Sequence, residues 1–260
     1  MTGSEVPPSF RLAYVPGVTP TKWVRIWNER LPGTPLTLVG VPAAEAAALL
    51  RDGGADAGFV RLPVDRTDLS AIPLYTETTV VVIPKDHDAF AVEEMSVADL
   101  ADEIVLHPLD DTLEWERPPG RPAFERPATT ADAVELVAAG VGLLVVPQSL
   151  ARLHHRKDLT YRPLTGAPES RIALSWPEEK TTDLVEEFIG IVRGRTVNST
   201  RGRAPTPPQP KAKRAEKKSG GASKPAGART SRGGSGGSGK AAGSKNPKGG
   251  AKRGKPRRRP

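Results

Sequence analysis

The sequence predicts an α/β fold joined to a disordered cationic tail, on three observations. Short apolar strands alternate with amphipathic helices over the first 196 residues, the 14-residue run Ala71–Pro84 is apolar and β-branched with no helical interval, and charge is segregated along the chain. Of the 38 Lys and Arg among 260 residues, 19 lie between Val197 and Pro260 beside a single acid, Glu216, so this segment carries +18 and the rest of the chain −10. The same segment holds 13 of the 26 glycines and one branched apolar residue, Val197, too little to offset the entropy of ordering. Residues 196–260 therefore read as a disordered basic tail rich in Gly, Pro, Ser and Ala, and residues 1–8 as a flexible N-terminus.

Phe10–Val15 alternates and stops at Pro16-Gly17, the pattern of a strand. Thr19 or Thr21 can cap a helix over Lys22–Arg30, which carries Trp23, Ile26 and Trp27 on one face and ends at Pro32-Gly33. Leu36–Val39 reads as a second strand, Gly40–Pro42 as a turn, Ala43–Arg51 as a helix ended by Gly53-Gly54, and Ala57–Arg61 as a third strand. Strands and helices at this spacing imply parallel pairing, right-handed crossovers and a sheet covered on both faces. Ala71–Pro84 then reads as one long or bent strand leaving this unit.

Ser96 with Asp99 signals a short helix through Glu103, followed by strand Ile104–Leu106 and a Pro-rich loop to Pro122, with Phe124–Pro127 a candidate strand. Thr129 and Thr130 cap a helix whose apolar residues Ala133, Val134, Val137 and Ala138 recur at helical spacing; Gly140 ends it, and Val141–Val146 forms a buried strand stopped by Pro147. A short helix near Ser149–His154, strands Leu159–Pro163 and Arg171–Trp176, and a helix over Thr182–Val192 complete the ordered part.

Several function classes are excluded or unsupported. With no Cys there are no disulfides, thiolate metal sites or Cys nucleophiles. The N-terminal MTGSEVPPSF lacks the pattern of a secretory signal and no stretch approaches 18 consecutive apolar residues, so the expectation is a soluble cytoplasmic protein without a membrane partner. His87, His107, His154 and His155 make no HExxH pair and no metal spacing; His107, beside a strand end, either lines a cleft or is an ordinary loop histidine, and His154-His155 read as a solvated helix end. Gly234–Lys240 (GSGGSGK) satisfies G-x-x-x-x-G-K, but Ala241 replaces the hydroxyl that would hold Mg²⁺ and no strand precedes it, so it reads as a linker. With no nucleophile elbow or dinucleotide fingerprint either, the expectation is no catalytic residue, no metal and no cofactor.

The phrases DAGFVRLPVDRTDLSAIPLYTETTVVVIPKDHD (Asp56–Asp88), MSVADLADEIVLHP (Met95–Pro108) and TTADAVELVAAGVGLLVVPQSLARL (Thr129–Leu153), with the closing LTYRPLTGAPESRIALSWPEEKTTDLVEEFIGIVR, resemble the effector-binding domain of LysR-type transcriptional regulators. The resemblance covers about Ser9–Arg195 and implies a bilobal type 2 periplasmic-binding-protein fold with two crossover strands. It places lobe I at 9–84 and 160–195, lobe II at 85–159, and the hinge about Thr78 and Tyr161. It also implies closure on a small-molecule effector, and a homodimer formed by lobe I helices docking antiparallel against lobe II. Three departures stand out. The family's winged helix-turn-helix has no counterpart in these residues, the segment from His107 to Thr129 is short by one helix of lobe II, and the basic tail is not a family feature.

In open α/β sheets ligands bind at the carboxyl ends of strands, where helix N-termini present free N–H groups to anions. This marks Gly17, Val18, Thr19 and Thr21 after the first strand, Gly40 and Val41 after the second, Arg61 ending the third, Thr78 in the crossover, and Thr129 and Thr130 at a helix start as effector-binding candidates, suited to a small carboxylate. For any single Thr, an ordinary N-cap is the commoner role. Arg61 can grip a ligand carboxylate or pair internally with Asp56, Asp65 or Glu77, and Val41-Pro42-Ala43 offers no hydroxyl, which points to a less polar ligand or a vestigial cleft.

In the tail, Lys211, Lys213, Arg214, Lys217, Lys218, Lys252, Arg253, Lys255, Arg257, Arg258 and Arg259 form clusters that can release counterions from a phosphate backbone. No aromatic residue accompanies them, so the expected binding to DNA or RNA is without sequence preference, in keeping with a nucleoid-associated regulator. The same electrostatics allow the tail to fold back over the −10 domain as a solubilising segment. The combined reading is a non-enzymatic, effector-binding regulatory protein. A nucleic-acid-associated structural protein with a non-binding domain, or a cytoplasmic solute-binding protein, are the alternatives.

Overall fold

A computed structural model describes residues 8–195; the N-terminal segment and the whole basic tail, with its eleven candidate nucleic-acid-binding residues, lie outside the described residues. Eleven strands are shared between two sheets. The first has the order β2-β1-β3-β11-β4, from β1 (Phe10–Tyr14), β2 (Leu36–Gly40), β3 (Ala57–Leu62), β4 (Leu69–Glu77) and β11 (Ser170–Pro177). The second has the order β6-β10-β5-β9-β7-β8, from β5 (Thr79–Pro84), β6 (Met95–Ser96), β7 (Ile104–Leu106), β8 (Arg121–Pro122), β9 (Leu143–Pro147) and β10 (Leu159–Thr165).

In the first sheet β1 pairs in parallel with β2 and β3, whereas β11 returns antiparallel between β3 and β4. Helices α1 (Thr21–Arg30), α2 (Ala46–Arg51) and α5 (Asp183–Val192) pack on it. Their core is aromatic: Phe10 stacks on Trp27 at 4.6 Å between ring centroids, and Phe188 sits 5.3 Å from Phe10 and 6.0 Å from Phe59. Trp27 is fully buried, and its indole N–H donates to the Thr34 carbonyl at 2.9 Å, which satisfies the one polar atom it brings inside.

The second sheet is apolar on both faces because its central strands alternate between two cores. Val80 and Val82 of β5 with Leu144 and Val146 of β9 face α3 (Thr130–Ala138) and α4 (Gln148–Leu153), while Val81, Ile83, Leu143 and Val145 face the other way. That second core is closed by Leu100, Leu113 and Trp115 from 3₁₀ and irregular segments, and no helix lies between Leu106 and Thr130. A Pro-rich loop with two large apolar anchors thus takes the place a helix would occupy. Thr129 caps α3 through a reciprocal pair, its hydroxyl accepting the Asp132 N–H at 3.1 Å while Asp132 accepts the Thr129 N–H at 3.2 Å.

Four details depart from the sequence reading. The run Ala71–Pro84 is two strands broken at Thr78, because its halves join different sheets. Consequently Thr79–Pro84 and Leu159–Thr165 pair within the second sheet, and the returning crossing lies between Thr165 and Ser170 rather than at Tyr161, which pairs with Val82. Neither Thr19 nor Thr21 caps α1: its N-cap is Pro20, which provides no side-chain acceptor. Phe124–Pro127 is not a strand; Arg121–Pro122 pairs with β7 instead, and Phe124 stands fully exposed.

Replacing Trp27 by Ala should cost about 3–5 kcal/mol, because it empties the centre of the aromatic cluster and leaves the Thr34 carbonyl without its donor. Urea unfolding followed by far-UV circular dichroism measures this as a lower midpoint with an unchanged slope.

Candidate functional site

The two sheets leave a cleft of about 890 Å³ between them. On one side it is lined by Gly17, Val18 and Thr19 from the β1–α1 loop, Gly40 and Val41 at the end of β2, and Arg61 near the end of β3. On the other, Thr129, Thr130 and Ala131 at the start of α3 face it, with Ser149, Arg152 and His154 from α4 and its C-cap. Eight of the ten candidate effector-binding residues therefore meet in one cavity. Thr21 and Thr78 do not: Thr21 is the first residue of α1 and exposed, and Thr78 is an exposed linker residue whose carbonyl accepts the Gln148 N–H at 2.9 Å.

Arg61 organises the floor. Its Nη1 donates to the Glu77 carboxylate and to Ser170 Oγ, and its Nη2 donates to the Pro16 carbonyl at 3.0 Å and to Ser149 Oγ at 3.2 Å. Arg61 and Glu77 are each 8% exposed, so this is a buried ion pair. Glu77 ends β4 and Ser170 begins β11, opposite one another in the register, and Arg61 pairs with Ile172 of the same strand. Of the three internal partners open to Arg61 in the sequence, Glu77 holds it; Asp56 pairs with Arg11, and Asp65 with Arg51. The Arg61 Nε is buried without a hydrogen-bond partner among the described residues.

The opposite wall is built from hydroxyls and one acid. Thr130, almost wholly buried, donates to Asp110 Oδ1 at 2.9 Å, and Thr112 brings a buried hydroxyl that has no partner among the described residues. Arg152 donates to the Tyr161 hydroxyl at 3.2 Å beside the apolar side chains of Leu150 and Leu153. Val41, Pro42 and Ala43 make an apolar patch on the facing loop. Beyond the wall, burial pushes the Asp111 carboxyl above its ordinary value, against the opposing pull of the Leu113 N–H and the nearby His107 and Arg126.

His107 lies outside the cavity, its ring against the Pro119 carbonyl at 3.3 Å, whereas His154 lines it. Sequence reasoning passed over Asp110, Thr112, Ser149 and Arg152, and read His154 as part of a solvated helix end, whereas it lines the cavity. The signal for three of them was available. Asp110 and Thr112 follow the carboxyl end of β7, and Ser149 follows that of β9, so the rule that marked Gly17 and Gly40 marks them too. Among the described residues no group of three or more His, Asp or Glu could hold a metal ion, and no helix is long and apolar enough to cross a membrane.

Residues 6–196 match the family model described as LysR substrate binding domain. A probable hydrogen peroxide-inducible genes activator of Mycobacterium avium is 33% identical over 197 residues, which cover 71% of this chain and 63% of that protein. The Hca operon transcriptional activator HcaR of Escherichia coli (strain K12) is 24% identical, over 74% of this chain and 67% of that protein. The chain thus spans about two thirds of the length of these relatives. Among solved structures, the BenM effector binding domain with its effector benzoate superposes with a TM-score of 0.62 at 20% identity, covering 73% of this chain and 92% of that one. The oxidized form of OxyR gives 0.59 at 21% identity, covering 71% and 92%. Both likenesses establish the fold, a mixed α/β type 2 periplasmic-binding-protein-like arrangement.

Because folding raises the Asp111 pKa, the folded chain keeps a proton that the unfolded chain loses at about pH 4. Stability contributed by this group therefore falls as pH rises from that value through the folded pKa. Asp111→Asn should flatten this part of a pH series of urea midpoints.

Proposed function

The chain belongs to the LysR substrate-binding domain family, and from that premise we propose that it binds a small-molecule carboxylate in the cleft between its sheets and passes the resulting lobe movement to a transcriptional complex. The observation that carries this reading is that the loop before α1 and the first residues of α3 line one cavity from opposite sides. The N-terminus of α3 presents unpaired N–H groups and a partial positive charge, so an anion is held there against the loop between β1 and α1 on the other side. Thr129 and Thr130 flank that position, with Gly17, Val18, Thr19, Gly40 and Val41 opposite. The apolar patch at Val41–Ala43 and the side chains of Leu150 and Leu153 suit a ligand whose body is hydrocarbon and whose end is charged.

The role is regulatory and non-enzymatic, in the cytoplasm and in association with the nucleoid, with a homodimer as the working unit. The named relatives are transcriptional activators, which supports this reading. The segment 197–260, with +18, adds a second function: binding of DNA or RNA through its Lys and Arg clusters without sequence preference. The polycation keeps the effector domain near nucleic acid, as a tether does.

Thermal-shift screening of the full chain against aromatic and aliphatic carboxylates should find a ligand that stabilises it by about 2.7 kcal/mol at a concentration one hundred times its dissociation constant. Thr130→Val should reduce that gain; no stabilisation by any carboxylate would reject the effector reading. Filter binding to duplex DNA should give an affinity that falls steeply with salt for the full chain and collapses on removal of residues 197–260. Equal, salt-insensitive binding by both would reject the tail's role.

A further inference from the structure

We propose that Arg61 and Ser149 form a clasp that sets how far the cleft closes. Arg61 is anchored wholly within the first sheet's unit: Glu77 ends β4, Ser170 begins β11, and Pro16 precedes α1. Its remaining bond, from Nη2 to Ser149 Oγ at 3.2 Å, reaches the other unit, where Ser149 lies in the first turn of α4. Opening the cleft thus breaks one bond of the guanidinium and leaves its other three intact. The moving part is Ser149, and the fixed part is an arginine held rigid by a buried carboxylate.

Gly17 makes the contact possible. Its φ of +88° suits glycine, and a Cβ at this position would meet Ser149 Oγ at 2.4 Å, Ser149 Cβ at 3.0 Å and Arg61 Nη2 at 3.1 Å. The backbone of one lobe and the side chain of the other therefore touch at a point that admits no extra atom. Residue 17 acts as the stop and residue 149 as the latch. The second crossing is tied nearby, where Thr79 Oγ1 donates to the Pro168 carbonyl at 2.5 Å, so the two linkers move together.

With all four of its Nη hydrogens engaged, Arg61 has only Nε uncommitted and is not free to grip a carboxylate in a fork. In this arrangement Arg61 is a positioning residue. Anion recognition falls to the helix-terminal N–H groups of Thr130 and Ala131, since Thr129 gives its N–H and hydroxyl to Asp132 and Thr130 its hydroxyl to Asp110, and the clasp governs whether those groups face the β1–α1 loop. This consequence for ligand binding rests on the effector reading above; the clasp itself does not.

The absence of native cysteines permits a direct test. Asn28 on α1 and Ala139 at the end of α3 are exposed, and Asn28→Cys with Ala139→Cys in the full chain accept spin labels on either side of the cleft. Double electron–electron resonance without added ligand should give one short distance for the parent. In Ser149→Ala a second, longer distance should appear while the melting temperature stays near that of the parent, a readout that a merely structural role for Ser149 would not move. Gly17→Ala, where it folds, should move the whole distribution to the longer distance. Identical distributions for the parent and Ser149→Ala would overturn the clasp. Because no ligand is present, that result would leave the effector reading standing, and a failed carboxylate screen would leave the clasp standing.

Discussion

The ion pair between Arg61 and Glu77 is the constraint on which the rest of the architecture depends. Both charges are buried, and removing each from water costs several kcal/mol before any attraction is counted. Such a pair is tolerated only where further hydrogen bonds satisfy it, and here Ser170 and the Pro16 carbonyl supply them within the same unit, with Ser149 adding one from the other. The partners come from the ends of β3 and β4, the start of β11, the loop after β1 and the first turn of α4. One guanidinium therefore fixes both edges of the hinge and the floor of the cleft. Removing either partner would leave the other charge stranded where the chain changes sheets.

That placement follows from how the two sheets are built. The first sheet needs β11 to return between β3 and β4, so the chain must leave after Glu77 and come back at Ser170. These two residues lie opposite each other in the register, Glu77 on the edge strand and Ser170 on β11, which β3 covers on its other side. The second sheet is filled on both faces by valine and leucine from β5 and β9, which makes it a rigid body. The two packed bodies are joined at Thr78 and at Gly166–Glu169, the linkers about which the proposed closure would turn.

Much of this was legible in the residues. Period-2 and helical patterns located β1, α1, β3, α3 and α5 to within two residues, and Thr129, read as a cap from sequence, closes a box with Asp132 at the start of α3. The break at Thr78 was not legible, because Ala71–Pro84 has strand-forming residues on both sides of it and nothing local says that its halves pair with different sheets. The loop from Pro108 to Gly120 was equally opaque: Leu113 and Trp115 serve as core residues from irregular backbone that has no period to read. Eight of the ten candidates line the cleft because the rule for strand ends needs only the order of elements, while the wall built from α4 was not anticipated. Thr21 was misplaced because the turn between β1 and α1 uses Pro20 as the cap and carries the next residue outward. The partner of Arg61 was open among three acids because Asp56, Asp65 and Glu77 are all near in sequence, and only the sheet register selects between them.

The proposed function joins three parts: a cleft suited to an amphipathic anion, the clasp proposed to set its closure, and a polycation that follows the folded unit in sequence. Each part uses a different physical term: helix-terminal N–H groups for recognition, a buried charge for rigidity, and counterion release for localisation. The account stands on the buried pair acting as the joint between these parts, and a double-mutant cycle measures that most directly. Arg61→Met, Glu77→Leu and their combination would be compared by urea unfolding of the full chain. Each single change should cost about 3–5 kcal/mol by stranding its partner, with the double variant losing much less than the sum. Costs that add to within about 0.5 kcal/mol would mean that the two residues act independently, and would contradict the account.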